Sequence, residues 1–430
     1  MMTRMRMDFK LFKNLKMKVG IIGGGINGLF SAYYLQKKGY DVTIIEQGDL
    51  SDSCSHGNAG MIVPSHIIPL AAPGMIAKGL KWMLSSTSPF YVRPRMSGSL
   101  VKWGWLFYKN STDAHVQKSI PVLRDISLLS KSLYQDFQKQ NHFDFGWQER
   151  GLMMLFQTPA MAHEEAEGAA IANKAGIEAH VLDAKGVQNL EPNTTVNAIG
   201  GVFYSGDAQL NPNLLINNLK KHLNTEGVKF LYKTEVKGFE FKNQRVTSIL
   251  TEKDKLDFDE IVIAVGAWSG VLSEKLGISL PLQGGKGYSM LFDGLGNKVQ
   301  IPTIMLEARA TATGMGDALR CAGTMEIAGI DLSVNMNRVK GIVQGVNSFF
   351  PDLQVNMPEK EAIWRGLRPC SPDGLPYIGR LKSFKNVTMA TGHGMMGLSL
   401  GAATGKLVSE IIGQEKLSMG IQELHPNRFD

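Results

Sequence analysis

Hydrophobic and polar positions along the chain switch between two periods. Residues 18–22 (Lys-Val-Gly-Ile-Ile) are a short apolar run ending in glycines, the pattern of a buried strand. Residues 28–38 carry a helical repeat closed by Gly39, and Val42, Ile44 and Ile45 mark a second strand over 41–46. The front of the chain therefore reads as a βαβ unit. Helical periodicity returns over 120–140 and 160–176, and Asn211-Pro212 opens a helix that runs to residue 224. Strands are expected over 228–232, 236–241, 246–251 and 260–266, the last a buried run ending on Gly266. Near the C terminus, glycine-rich residues 392–401 lead into a helix over 402–412.

Length and composition narrow this picture. A chain of 430 residues exceeds one compact core, so two domains are expected. With 43% hydrophobic and 20% charged residues, disorder is excluded as the main state. Cys54, Cys321 and Cys370 are odd in number and far apart, which gives neither a disulfide framework nor metal-ligand spacing and suits a reducing, cytoplasmic compartment. A formal charge of +7 permits contact with an acidic membrane surface or an anionic ligand but does not argue for nucleic acid. Residues 1–16 are basic and lack a signal-peptide core, so they are expected to be a flexible leader, with Met17 the alternative start. No apolar run is long enough to span a bilayer.

The run Gly23-Gly24-Gly25-Ile26-Asn27-Gly28 fits G-x-G-x-x-G, a weak signal alone. Here it follows a strand, opens a helix and precedes Glu46 at the end of the second strand, the full context of a dinucleotide site. Gly23 would make the tight turn, Gly25 would admit a pyrophosphate, and Gly28 would let helix and strand pack closely. The helix N-terminus would face the diphosphate and Glu46 the ribose hydroxyls. Two further segments favour a flavin over a nicotinamide. The small-residue loop 53–61, with His56, Gly57, Asn58 and Ala59, suits a flat ring, and Gly394, Met395, Met396, Gly397 and Leu398 stand before a second helix start that can face the flavin pyrimidine.

On these segments the chain resembles the D-amino-acid oxidase superfamily of FAD proteins, as does the block Gly366-Leu367-Arg368-Pro369-Cys370-Ser371-Pro372-Asp373-Gly374. The loop His56-Gly57-Asn58-Ala59-Gly60 is most similar to bacterial D-amino-acid dehydrogenases of the small-subunit type. The resemblance implies an α/β fold: a Rossmann-like FAD-binding domain (17–64, 179–284 and 363–430) interleaved with an α+β substrate domain (65–178 and 285–362) containing an antiparallel sheet. It places Val236 at the adenine and Gly266 in a turn beside the cofactor. FAD is expected to be non-covalent, because no flavinylating cysteine stands near Gly392.

In such an enzyme the α-hydrogen leaves as hydride to flavin N5, giving an imino acid that hydrolyses to a 2-oxo acid. Orienting the substrate is then the main task, and a guanidinium grips a carboxylate in two-pronged fashion. The resemblance gives that role to Arg368, with Tyr288 a pocket wall able to bond the same carboxylate. His56 and His393 are read as structural. Glycine-oxidase-type relatives carry an arginine where this chain has Met395-Met396, an apolar pair that suits a compact ring such as D-proline or hydroxy-D-proline. Electrons would pass to a quinone or another carrier. Residues 75–109, with Trp82, Trp103, Trp105, Phe107 and Tyr108 among lysines, read either as helices packed on the substrate domain or as a patch on the inner face of the cytoplasmic membrane. The alternatives are a glycine or secondary-amine oxidase using O₂, a flavoprotein without amine chemistry, and a nicotinamide dehydrogenase.

Overall fold

The computed structural model describes residues 16–83, 88–140 and 144–430; the expected leader lies outside them but for Lys16. Strand Lys18–Ile22 leads into helix Ile26–Lys37 and strand Asp41–Ile45, which pairs parallel to the first with Val19 opposite Val42. Gly39 takes φ +85 just past the helix, where a side chain would be strained. A six-stranded sheet grows around this unit in the order Tyr377–Arg380, Val387–Thr391, Glu260–Ile263, Lys18–Ile22, Asp41–Ile45, Lys229–Leu231. All its pairings are parallel except the edge pair of Tyr377–Arg380 with Val387–Thr391. Its central strands are buried along almost their whole length, as parallel strands covered on both faces must be.

Helices Ile26–Lys37, Asp113–Lys139 and Gly401–Gly413 pack together beside this sheet. Phe30 and Tyr134 meet edge to face at 5.3 Å. A Cβ on Gly405 would lie 2.4 Å from the Phe30 carbonyl carbon, so the first and last helices touch backbone to backbone. The helix expected over 120–140 begins earlier, at Asp113, and runs through Pro121. Thr112 accounts for the start: its hydroxyl accepts the His115 N–H at 3.2 Å, a side-chain cap upstream of the proline.

The second sheet is mixed and has nine strands. Eight run in the order Trp364–Cys370, Gln283–Phe292, Ala318–Ile327, Ala310–Met315, Thr303–Met305, Leu152–Phe156, Gly200–Tyr204, His180–Asp183, and Phe90–Val92 joins Ala318–Ile327. This differs from the division expected from sequence, which gave 179–284 and 363–430 wholly to the dinucleotide unit. His180–Asp183, Gly200–Tyr204 and Trp364–Cys370 pair in the larger sheet instead. The physical reason for the first two lies in Gly200 and Gly201. A Cβ there would sit 2.5 Å from the Leu182 carbonyl oxygen and 2.9 Å from that of Met154, so neighbouring strands close over bare backbone. An apolar run shows that a strand forms, not which sheet it joins.

Candidate active site

A continuous cavity of about 1190 Å³ is lined by residues of both the six-stranded and the nine-stranded sheet. That exceeds the roughly 300–1,000 Å³ of an ordinary ligand pocket, leaving room for a long ligand and a small one together. Gly23, Gly25, Ile26, Asn27, Glu46, Gly57, Asn58, Ala59, Val236, Gly266, Met395, Met396, Gly397 and Leu398 all line it, with Gly394. Residues from both ends of the chain and its middle thus meet on one wall, and Arg368 and Tyr288 line the same cavity.

Two of the expected residues lie behind that wall. Gly28 does not line the cavity; a Cβ on it would stand 1.9 Å from the Gly23 carbonyl oxygen, so it sets helix-to-turn packing. His56 is buried with its Nδ1 2.8 Å from the Ser53 hydroxyl, and its carbonyl accepts from Arg320 at 2.7 Å. Burial lowers the His56 pKa.

The fingerprint wall has the chemistry of a dinucleotide site. Gly25 precedes the helix at φ −66 and ψ 179, and a Cβ there would meet only the Ser55 hydroxyl at 3.6 Å, which leaves open space beside the helix start; that hydroxyl accepts the Ile26 N–H at 3.2 Å. The two Glu46 carboxylate oxygens accept the Gly24 and Gly48 N–H groups at 2.8 and 2.9 Å. That fixes the carboxylate at the wall while each oxygen keeps a lone pair for a hydroxyl. Asn27 Nδ2 lies 3.1 Å from His393 Nδ1, and His393 Nε2 lies 2.9 Å from the Thr404 hydroxyl, which donates to the Leu400 carbonyl. The proton therefore sits on Nε2, and burial brings the His393 pKa down to about 3, so the ring is neutral. The buried Asn27 Oδ1 has no hydrogen-bond partner and belongs to a cavity residue. An acceptor of this kind suits a ligand hydroxyl or N–H, so the residues present fit FAD.

On the wall of the same cavity Arg368 donates to the Thr324 and Gly323 carbonyls, and among the described residues no carboxylate pairs with it. Burial pulls the guanidinium pKa down. A Cβ on Gly287 would stand 2.2 Å from its Nη1, so the group lies flat on bare backbone. Thr324 holds a left-handed φ of +67, in a bulge where the register steps from Lys286 opposite Glu326 to Tyr288 opposite Gly323. Bulges re-aim backbone groups in this way beside active sites. Tyr288 departs from the expectation. Its hydroxyl donates to Glu326 at 2.5 Å and accepts from the Asn335 N–H at 3.0 Å, so it is already spent inside the sheet and is not free to donate to a carboxylate.

Three contributors had no local sequence signal. Arg320 donates to the carbonyls of His56 and Asn58, pinning the loop 56–59. Trp364 lines the cavity with its indole against Gly57 and Gly366, where a Cβ would come within 2.0 Å of the ring. Glu165 reaches the cavity from helix Pro159–Lys174. The glycines at 57 and 366 were the only trace of the tryptophan.

Comparison with known proteins agrees with this construction. Residues 18–411 match the family model described as FAD dependent oxidoreductase. The chain is 30% identical over 421 residues to a D-amino acid dehydrogenase of Granulibacter bethesdensis, covering 96% of this chain and 100% of that one. A Vibrio vulnificus D-amino acid dehydrogenase is 30% identical over 407 residues, 93% and 97% of the two chains. Among solved structures, glycine oxidase from Geobacillus kaustophilus aligns with a TM-score of 0.77 at 21% identity, covering 96% of this chain and 100% of that one. L-proline dehydrogenase from P. horikoshii aligns at 0.75 and 18%, covering 96% and 98%; both show the shared fold. With a dinucleotide wall and an unpaired arginine lining one cavity, and a family match over residues 18–411, the chain belongs to the FAD-dependent oxidoreductase family.

Proposed function

We propose that the protein oxidises D-amino acids to imino acids, which add water to give 2-oxo acids and ammonia. The carrying observation is Arg368: a half-buried guanidinium lining the cavity, without a carboxylate partner among the described residues. A half-buried cation on a cavity wall with no carboxylate partner invites an anionic ligand, and a substrate carboxylate supplies one. The D configuration rests on the relatives named D-amino acid dehydrogenase, aligned over nearly the full length of both chains. FAD, held non-covalently, supplies the two-electron acceptor for the α-hydrogen. The chain's own work is to hold the carboxylate at Arg368 and to keep water from the reacting carbon with the apolar walls of Met396, Trp364 and Leu398. As the hydride leaves, the neutral amine's lone pair closes the C=N bond, and the iminium then loses its proton and takes up water.

Met395 and Met396 both line the cavity, the apolar pair behind the D-proline and hydroxy-D-proline version of this proposal. Cyclic prolines therefore belong in the screen. Anaerobic mixing of the yellow protein with D- and L-amino acids, prolines included, should bleach the flavin with D-amino acids. Bleaching by L-amino acids alone, or by none, sinks the reading. Steady peroxide release in air would instead identify an oxidase.

We assign the electrons to a quinone or similar carrier at a membrane surface. The chain has no acidic residue between Asp52 and Asp113 while it carries Lys78, Lys81, Lys102 and Lys109 there. On helix Gly98–Asn110, Trp103 points inward and its indole donates to the Cys370 carbonyl. Val101 and Trp105 (70% and 55% exposed) lie one turn apart and away from the cavity, while Tyr108 and Leu80 on helix Met75–Trp82 (61% and 63% exposed) also line it. Apolar groups interleaved with lysines suit an anionic lipid surface. No helix of the described residues is long and apolar enough to cross a membrane. Cosedimentation with phosphatidylglycerol vesicles is expected, with little on phosphatidylcholine and strong loss in Leu80→Glu/Trp105→Glu. Equal recovery of wild type and variant would remove the assignment.

A further inference from the structure

The cavity does not stop at Arg368. Ala322, Thr311, Ile304 and Met154 are register neighbours on four adjacent strands, and all four line it. Neighbours in register point to the same face, so they form a continuous, mostly apolar floor crossing the larger sheet. Arg368 stands at one end, bonded to the carbonyl of Gly323. Gly323 is the register partner of Ala310, and the residue before Ala310 is Arg309, also on the cavity wall. Arg368 itself lies on a strand three places from Ala310–Met315 in the sheet order, and it is its guanidinium, at the Gly323 carbonyl, that reaches the strand next to Arg309.

Helix Pro159–Lys174 closes the far side of this floor. Glu165, Gly168 and Ala172 lie three and seven positions apart on one helical face, and all three line the cavity. Gly168 has nothing within 4 Å of where a Cβ would be, so the helix leaves open room beside Glu165. Among the described residues no hydrogen bond reaches the Glu165 carboxylate. Its acidic neighbours are occupied elsewhere: Glu164 pairs with Lys78 at 2.5 Å, and Glu307 accepts the Gln157 and Thr158 N–H groups. Desolvation raises the Glu165 pKa, more than Arg309 and Lys78 draw it down, while Glu164 and Glu307 add to the rise. The carboxylate is therefore under-compensated where it stands.

Resting on the amino-acid reading above, we infer that Glu165 receives the far end of the substrate side chain. The enzyme would thereby favour amino acids whose side chain ends in a cation or hydrogen-bond donor. The substrate carboxylate sits at Arg368, the methylenes lie on the Ala322–Thr311–Ile304 floor, and the tip meets Glu165 beside Gly168. A side chain ending in a carboxylate would meet like charge there.

Two ligands that cannot react test this without turnover. 6-Aminohexanoate and hexanoate share the carboxylate and the chain but differ in the terminal ammonium. FAD-loaded wild type should bind 6-aminohexanoate roughly tenfold more tightly, read from flavin absorbance or the shift in Tm, and Glu165→Gln should erase the difference. In turnover, Glu165→Gln should lower kcat/KM for D-lysine roughly tenfold, mainly through KM, leave D-methionine within about twofold, and improve D-glutamate. Equal affinity of wild type for the two ligands, or a preference that survives in Glu165→Gln, would overturn the inference. Flavin that no D-amino acid bleaches would overturn the amino-acid reading instead, and the ligand pair would still decide on Glu165.

Discussion

Arg368→Lys should lower kcat/KM for the best D-amino acid by a hundredfold or more, while the variant folds and keeps FAD. Lysine preserves the charge but not the geometry. The guanidinium has five N–H donors; the Thr324 and Gly323 carbonyls take one each, and the rest can form a two-pronged grip on a carboxylate. A single ammonium cannot satisfy both carbonyls and the ligand at once. A charge-assisted pair in a desolvated wall contributes on the order of 3 kcal/mol, which is the stated loss. Arg368→Ala should be worse, because it also leaves those carbonyls without a donor. The diagnostic is anaerobic flavin reduction by the D-amino acid and by its decarboxylated amine. The amine never used the anchor and should lose little. Equal fractional losses for both substrates would mean that Arg368 acts through structure, and the anchor role would be abandoned.

The second large effect separates the cofactor cradle from the helix packing beneath it. Gly25→Val should weaken FAD binding at least tenfold, more than about 1.4 kcal/mol, with apoprotein stability little changed. The backbone of Gly25 is extended and the nearest atom to an added Cβ is 3.6 Å away, so the protein accommodates valine. The same open space is what a pyrophosphate would need. Gly28→Val should instead unfold the βαβ unit, since its Cβ would stand 1.9 Å from a carbonyl oxygen. The ratio of absorbance at the flavin band to that at 280 nm, with thermal unfolding of the apoproteins, reads both. Full FAD content in Gly25→Val would remove the basis for placing the pyrophosphate there.

Features of the dinucleotide wall were readable because each depends on residues close in sequence. The turn, helix start and acidic residue at 23–46 are of this kind. So is Asn211, whose side chain accepts the Asn213 and Leu214 N–H groups and starts the helix that its pairing with Pro212 announced. The substrate wall depends on register between distant strands. Tyr288 was placed on the right wall, but its hydroxyl is consumed by Glu326, 38 positions away, because a bulge at Thr324 offsets the two strands. Neither the bulge nor the left-handed threonine has a local signature; a glycine there would have been the usual sign. The strands at 180–183 and 200–204 carry no such signal: the first is mostly exposed and the second opens on two glycines, so neither shows the apolar run of 18–22 or 260–263.

The Asn27–His393 contact joins residues 366 positions apart and lies at the seam of the fingerprint and the C-terminal helix. Contacts of such separation form late, after most of the chain's entropy has been surrendered. During synthesis the βαβ unit can fold as soon as it emerges, yet the fingerprint wall stays incomplete until the last strand and helix have been translated. Cofactor capture is thereby coupled to completion of the polypeptide: a chain cut short before residue 393 keeps its glycine turn but never closes the pocket around it.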